Sequence, residues 1–180
     1  YYKKVKGKDF FLVSGDVQPV DEKSSYEFCD KLLDLFQKSK GEEIVTLGGI
    51  GLEEPPKFPK VYCSGTDKKL VSKFKINGVK SAEGVVGPII GVSGLLVGLG
   101  KARGMKGTVL LVETLGLPNY LGIKESRELL KVLNDQYKLG LNMKNLNKEI
   151  KIIEKEIKEK LEKIIFKEKK KGRQEVSYIG

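Results

Sequence analysis

Three side chains of this sequence sit where polar chemistry could be done. Asp16 and Gln18 follow the apolar run DFFLV, and Glu113 closes the run TVLLV. Two carboxylates can serve as general acid and general base when their surroundings push their pKa values apart. The chain contains no histidine. A Ser-His-Asp or Cys-His nucleophile, an imidazole acid–base pair and a His-containing zinc site are therefore excluded. Only chemistry based on Lys, carboxylate or Tyr survives. Polar residues behind strands are also the usual caps and turn formers. Asp16, Gln18 and Glu113, with Thr114 and a glycine turn at Gly48 to Gly51, thus define a candidate crevice without defining a reaction.

Two other features imitate chemistry. In GVSGLLVGLGKARG, glycines beside Lys101 suggest a phosphate cradle, but a Walker A loop needs a glycine where Leu95 stands and a Ser or Thr where Ala102 stands. Gly98, Gly100 and Gly104 approach the dinucleotide fingerprint, yet they run into the strand-like TVLLVET when they should open a helix behind a strand. Gly91, Gly94, Gly98 and Ala102 fall on one helix face, a pattern that permits backbone-close packing. Cys29 and Cys63 stand alone without a CxxC. They read as buried packing thiols of a cytoplasmic protein.

The elements that would position these residues follow from periodicity. DFFLVSGD, EEIVTLGGIG, KVYCSGT and GTVLLVET read as four buried strands. Tyr26, Cys29, Leu32, Leu33 and Phe36, and later Leu129, Leu130, Leu133 and Tyr137, recur at helical spacing, with Gly41 and Gly140 placed as C-caps. Strands alternating with helices predict an α/β fold with a mostly parallel sheet covered on both faces. Ligands would then bind beyond the carboxyl ends of the strands.

The remaining organisation concerns partners. With 180 residues the chain suits one core domain plus an extension. Its most apolar window is broken by glycines and a proline, so no membrane span is expected. The net charge of +10 concentrates at the two ends, and in the lysine-rich C-terminal helix the lysines mix with glutamates and few aromatics intervene, so no nucleic-acid partner is expected. From Asn142, a predicted N-cap, Leu146, Ile150, Ile153, Ile157, Leu161 and Ile164 form a narrow apolar stripe near heptad spacing. That stripe either packs on its own domain or mediates self-association. The expected division is an α/β core over 1–141, an amphipathic helix over 142–171, and a tail over 172–180. The first residue is Tyr1, which suggests an upstream piece beyond it.

The serial arrangement of GKDFFLVSGDVQP, EEIVTLGGIG, PKVYCSGTDKKLV, GVSGLLVGLGKARGMKG, LLVET and LNMKNL resembles the archaeal proteins of the proteasome assembly chaperone family over roughly residues 5 to 165. The resemblance implies a three-layer αβα fold of phosphorylase- or hydrolase-like type. It also implies a homo-oligomer without catalysis or cofactor that docks on the α-subunits of the proteasome core particle. Relatives and proteasomal activators carry a hydrophobic-Tyr-any residue tail that enters a pocket between α-subunits. Val176, Ser177, Tyr178, Ile179 and Gly180 are the corresponding candidates here, although Tyr178 stands third from the end and follows a serine. The alternative is a protein or enzyme of phosphorylase-like or ATP-grasp-like ancestry that holds a nucleotide or nucleoside in the crevice.

Overall fold

The computed structural model describes residues 1–75, 78–117, 120–145, 147, 148, 150–153, 155 and 156. Its contacts separate two units, Tyr1–Gly140 and Leu141–Gly180. The first unit is built around the strand with the richest β-branched and leucine content. This strand, β6 (Lys106–Leu115), is buried from Gly107 to Val112 and lies inside a four-stranded sheet of order β3-β6-β4-β5. The other members are β3 (Glu43–Leu52), β4 (Val61–Gly65) and β5 (Lys80–Ser81).

Successive residues of a strand point to opposite faces, and β6 uses both. Leu110 and Val112 meet Val61, Cys63, Phe74, Leu129 and Val132 on one side. Val109 and Leu111 meet Tyr62, Ala82 and Val97 on the other. Helices α2 (Lys68–Lys75) and α4 (Ile123–Tyr137) cover the first face, while α3 (Val92–Ala102) covers the second. Helix α1 (Glu22–Lys38) packs on α3, burying Ser25, Cys29 and Leu33 at helical spacing. The result is three layers, α/β/α. Each fully buried leucine or phenylalanine contributes about 1.5–3 kcal/mol, so Leu33, Phe74 and Leu110, at 0% exposure, are the strongest single anchors.

The expected mostly parallel sheet is corrected to a mixed one. β3 and β6 are parallel and so are β4 and β5, but β4 runs antiparallel to β6. The reason lies in the connection from Leu52 to Val61, which reads EEPPKFPK. A parallel crossover needs a dozen or more residues. This short, proline-rich link can only reverse the chain, and β6 later inserts between β3 and β4. The turn expected at Gly48 to Gly51 is also corrected, because β3 continues straight through it in ten-residue register with β6.

The first predicted strand is redrawn too. β1 (Tyr2–Val5) and β2 (Lys8–Phe11) form a separate antiparallel hairpin, and no strand extends through Leu12 to Asp16. Its turn residues Lys6 and Gly7 have φ 48° and 81°, the positive values that fit the twist of a tight hairpin. Phe10 reaches Tyr137 edge-on at 5.7 Å between ring centres, whereas Phe11 is exposed.

Helix ends follow local capping chemistry. The Asp21 carboxylate accepts the Ser24 N–H at 2.8 Å and starts α1, and that bond holds its pKa below the usual aspartate value. Asp67 likewise accepts from the N–H groups of Lys69 and Leu70 at 2.8 and 3.0 Å and starts α2. The left-handed residues that end α1 and α4 are Lys40 and Lys138, at φ 52° and 56°, so the C-caps fall before Gly41 and Gly140. Gly41 is needed for another reason: a Cβ there would lie 2.2 Å from the Phe36 ring.

In the second unit, the Asn142 side chain accepts the Asn145 N–H at 3.2 Å. Helical residues follow at 143–145, 147, 148, 150–153, 155 and 156.

Candidate functional site

A cleft of about 580 Å³ lies on the α3 side of the sheet in the first unit. Its floor is Leu47 to Ile50 of β3 with Leu111 of β6, and its wall is the non-helical run Val86 to Ile90. Gln18 and Ser93 supply the polar side chains. Two hydrogen bonds tie the first turn of α3 to this floor. Thr46 donates its hydroxyl to the Ser93 carbonyl at 3.1 Å, and Ser93 donates to the Leu47 carbonyl at 3.4 Å. Gly91 begins α3 at φ 88°, a conformation that glycine adopts without penalty.

The three predicted crevice residues part company here. Gln18 lines the cleft. Asp16 is exposed and is not among the lining residues. Glu113 is committed elsewhere. It accepts the Tyr62 hydroxyl at 3.0 Å and the Lys60 backbone N–H at 3.0 Å, with the Lys60 ammonium at 3.9 Å. This carboxylate fastens the start of β4 to β6; burial, and after it the hydrogen bond to Glu113, pushes the Tyr62 pKa upward. The prediction of a paired crevice assumed that strand ends converge on one side. With β4 reversed, the end of β6 meets the beginning of β4 instead.

The sequence reading missed the wall Val86 to Ile90. Its signal was available: GVVGPIIG is apolar yet too interrupted by glycine and proline to be a helix or strand. An apolar run with no regular structure lines a surface. A second hollow of about 360 Å³ shares Gly87 and Ile89 with the first and is bordered by Gly94, Gly98 and Lys101. The glycine face of α3 therefore divides. A Cβ at Gly94 would lie 2.1 Å from the Ile89 carbonyl oxygen, while one at Gly98 would meet nothing within 4 Å.

No residue lining the main cleft is titratable, so its walls can hold an uncharged or apolar group by shape and backbone contacts but supply no proton donor. Both thiols are buried and free. Burial pushes the Cys63 pKa up to about 11 and raises that of Cys29, which leaves neither a ready nucleophile. The buried carboxylate that sequence reasoning did not single out is Glu125, in the first turn of α4. One oxygen accepts the Tyr120 hydroxyl at 2.9 Å and the other has no partner among the described residues. The positive end of the helix dipole accommodates it.

Among the described residues no cluster of His, Cys, Asp and Glu could hold a metal ion, and no helix is long and apolar enough to cross a membrane. Of the predicted self-association stripe, Ile150 is buried and Ile153 is 45% exposed. Leu146, Ile157 and Leu161 lie outside the described residues, as do the tail candidates Val176, Ser177, Tyr178, Ile179 and Gly180.

This architecture is shared with known structures. The crystal structure of Pyrococcus furiosus PbaB, an archaeal proteasome activator, is 33% identical, covers 90% of this chain and 70% of its own, and superposes with a TM-score of 0.76. Pyrococcus furiosus PbaA, an archaeal homologue of proteasome-assembly chaperone, is 22% identical over 99% of this chain and 78% of its own, with a TM-score of 0.71. Two uncharacterised proteins of Methanocaldococcus jannaschii are 26% and 31% identical, each over 96% of this chain and 68% of their own length. The PAC2 family profile spans the hairpin, the three layers and part of the second unit, matching residues 1–161, and the chain belongs to that family.

Proposed function

We propose that this protein binds the α-ring of the proteasome core particle as a homo-oligomer, docking through its C-terminal tail and acting as an assembly chaperone or activator rather than as an enzyme. The observation that carries this reading is the likeness to PbaB, a proteasome activator, at 33% identity over 90% of the chain. The physics of the tail also supports it. Tyr178 is a rigid amphipathic anchor, Gly172 and its polar neighbours provide reach, and several identical tails on one oligomer multiply weak contacts through effective concentration. Such an encounter belongs in the cytoplasm, where proteasomes reside.

The test is a pull-down of purified proteasome core particles by the full chain and by a chain stopped at Glu175, at moderate salt so that the basic ends do not bind by charge alone. Binding that vanishes on truncation is the expected result. Equal binding by both chains moves the interface to the domain surface.

The cleft of about 580 Å³ is the observation behind a second reading, a nucleotide- or nucleoside-binding protein, and its uncharged lining suits a nucleoside better than a nucleotide's phosphates. A ligand at 100 times its Kd adds about 2.7 kcal/mol of stability, so a thermal-shift screen detects it. The proteasome reading expects no shift from any nucleotide or nucleoside.

A further inference from the structure

The second hollow, of about 360 Å³, gathers the polar groups that the main cleft lacks. Ser64 of β4 and Val109 of β6 are partners in register, and both line it together with Thr66, just past the end of β4. Thr66 is fixed by a two-way link to Gly107. Its N–H donates to the Gly107 carbonyl at 2.9 Å, and its hydroxyl oxygen accepts the Gly107 N–H at 3.2 Å. That oxygen is the acceptor, so the hydroxyl hydrogen is left to donate to a further group.

Helix α3 covers the hollow with a single face. Gly94, Val97, Gly98 and Lys101 recur at steps of three, one and three, the spacing that stacks residues on one side of a helix. A Cβ at Gly98 would meet nothing within 4 Å, so the wall there is backbone alone. Lys101 ends this face and gives the hollow its cation. It forms no ion pair among the described residues. The charges next to these residues in sequence are committed elsewhere: Arg103 donates to Asp30 and Asp34, and Asp67 accepts from the N–H groups of Lys69 and Leu70.

Val97, Val109 and Ile89 make the rest of the lining apolar. A largely apolar hollow with a few convergent polar groups is the usual form of a small-molecule site, in which the polar groups set orientation. One ammonium and two hydroxyls, all able to donate, match a single negative charge. All of these residues lie between Ser64 and Val109, on elements that pack against one another, so the site is built within one stretch of the chain.

We propose that this hollow binds a small organic carboxylate, a single negative charge on an apolar chain. Lys101, Thr66 and Ser64 hold the carboxylate, and Val97, Val109 and Ile89 surround the chain. The site is independent of tail docking and of a nucleoside in the main cleft, whose lining does not include Lys101.

The probe is octanoate, titrated into the full chain and followed by the methyl signals of Val97, Val109 and Ile89 in nuclear magnetic resonance spectra. Saturable shifts of these signals are expected. Octanamide, of the same length but uncharged, should bind about tenfold more weakly, as should octanoate to Lys101→Gln, and that variant should bind the two compounds alike. Gly98→Leu places a side chain in the hollow and should abolish octanoate binding with a melting temperature no lower than the parent's. No shift up to about 10 mM octanoate overturns the proposal. So does octanoate binding that is unchanged in Lys101→Gln, or a set of shifts centred on Leu47 and Leu111 of the main cleft. Equal binding of octylammonium would reduce the effect to adsorption of the apolar chain and overturns it as well.

Discussion

Gly94 and Gly98 lie one turn apart on α3 and both look, in sequence, like members of one small-residue face. Their surroundings give opposite predictions. Gly94→Ala drives a Cβ against the Ile89 carbonyl, which is backbone and cannot swing aside, so it should cost about 1–3 kcal/mol. Gly98→Ala enters open space inside a helix and should stabilise by about 0.5–1 kcal/mol. Urea unfolding of the two variants checks both signs, and equal effects would contradict this division of the face. Cys63 carries a second residue-scale expectation. Its thiol ionises near 9.0 when free but only near about 11 when folded, so the unfolded chain loses this proton first as pH rises. The corresponding stability is complete below pH 9.0 and drains away between 9.0 and about 11, an effect of about 2–3 kcal/mol. Tyr137, whose pKa is raised by burial and then by Glu43, adds a loss of the same sign at still higher pH. The urea midpoint should therefore hold steady near neutrality and fall from about pH 9 upward, less steeply in Cys63→Ala.

At the scale of elements, the sequence located α1, α4 and the glycine-faced α3 but missed the short α2. α1 and α4 repeat an apolar stripe over several turns, which is a strong signal. α2 has eight residues, and only Leu70 and Phe74 of them are buried, too few to stand out before Asp67 is recognised as its cap. The joint between α1 and α3 was also invisible. Arg103, just past the end of α3, donates to Asp34 at 2.7 Å and to Asp30 at 2.6 Å, two carboxylates one turn apart on α1. Lysine cannot reproduce this fork. Arg103→Lys should lower the melting temperature, and the difference from the parent should narrow in 1 M salt, where exposed charges are screened within about 3 Å. A deficit unchanged by salt would assign Arg103 a packing role through its aliphatic stem instead. The hairpin illustrates the same limit. FFLV is apolar enough for a core strand, but the Lys6–Gly7 turn pairs Lys8–Phe11 locally with Tyr2–Val5, away from the four-stranded sheet.

For the whole molecule, the proposed homo-oligomer makes a prediction that leaves the first unit intact. Ile153 is 45% exposed, and Ile153→Glu should convert the assembly to monomers by light scattering while the circular dichroism spectrum stays the same. An unchanged mass would remove the stripe from the interface. The amino-acid sequence by itself determined the α/β class, the helices with long periodicity, the buried thiols, the exclusion of imidazole chemistry and the family. Those properties depend on residue type and on spacing within one segment, which a chain carries wherever it folds. Tertiary structure alone decided that β4 runs against β6, that Glu113 is spent on Tyr62 and Lys60, and that Gln18 rather than Asp16 reaches the cleft. Each of these depends on which distant segments become neighbours. That choice is set by the reach of connections such as EEPPKFPK and by the competition of strands for the two sides of β6, and no local pattern records it.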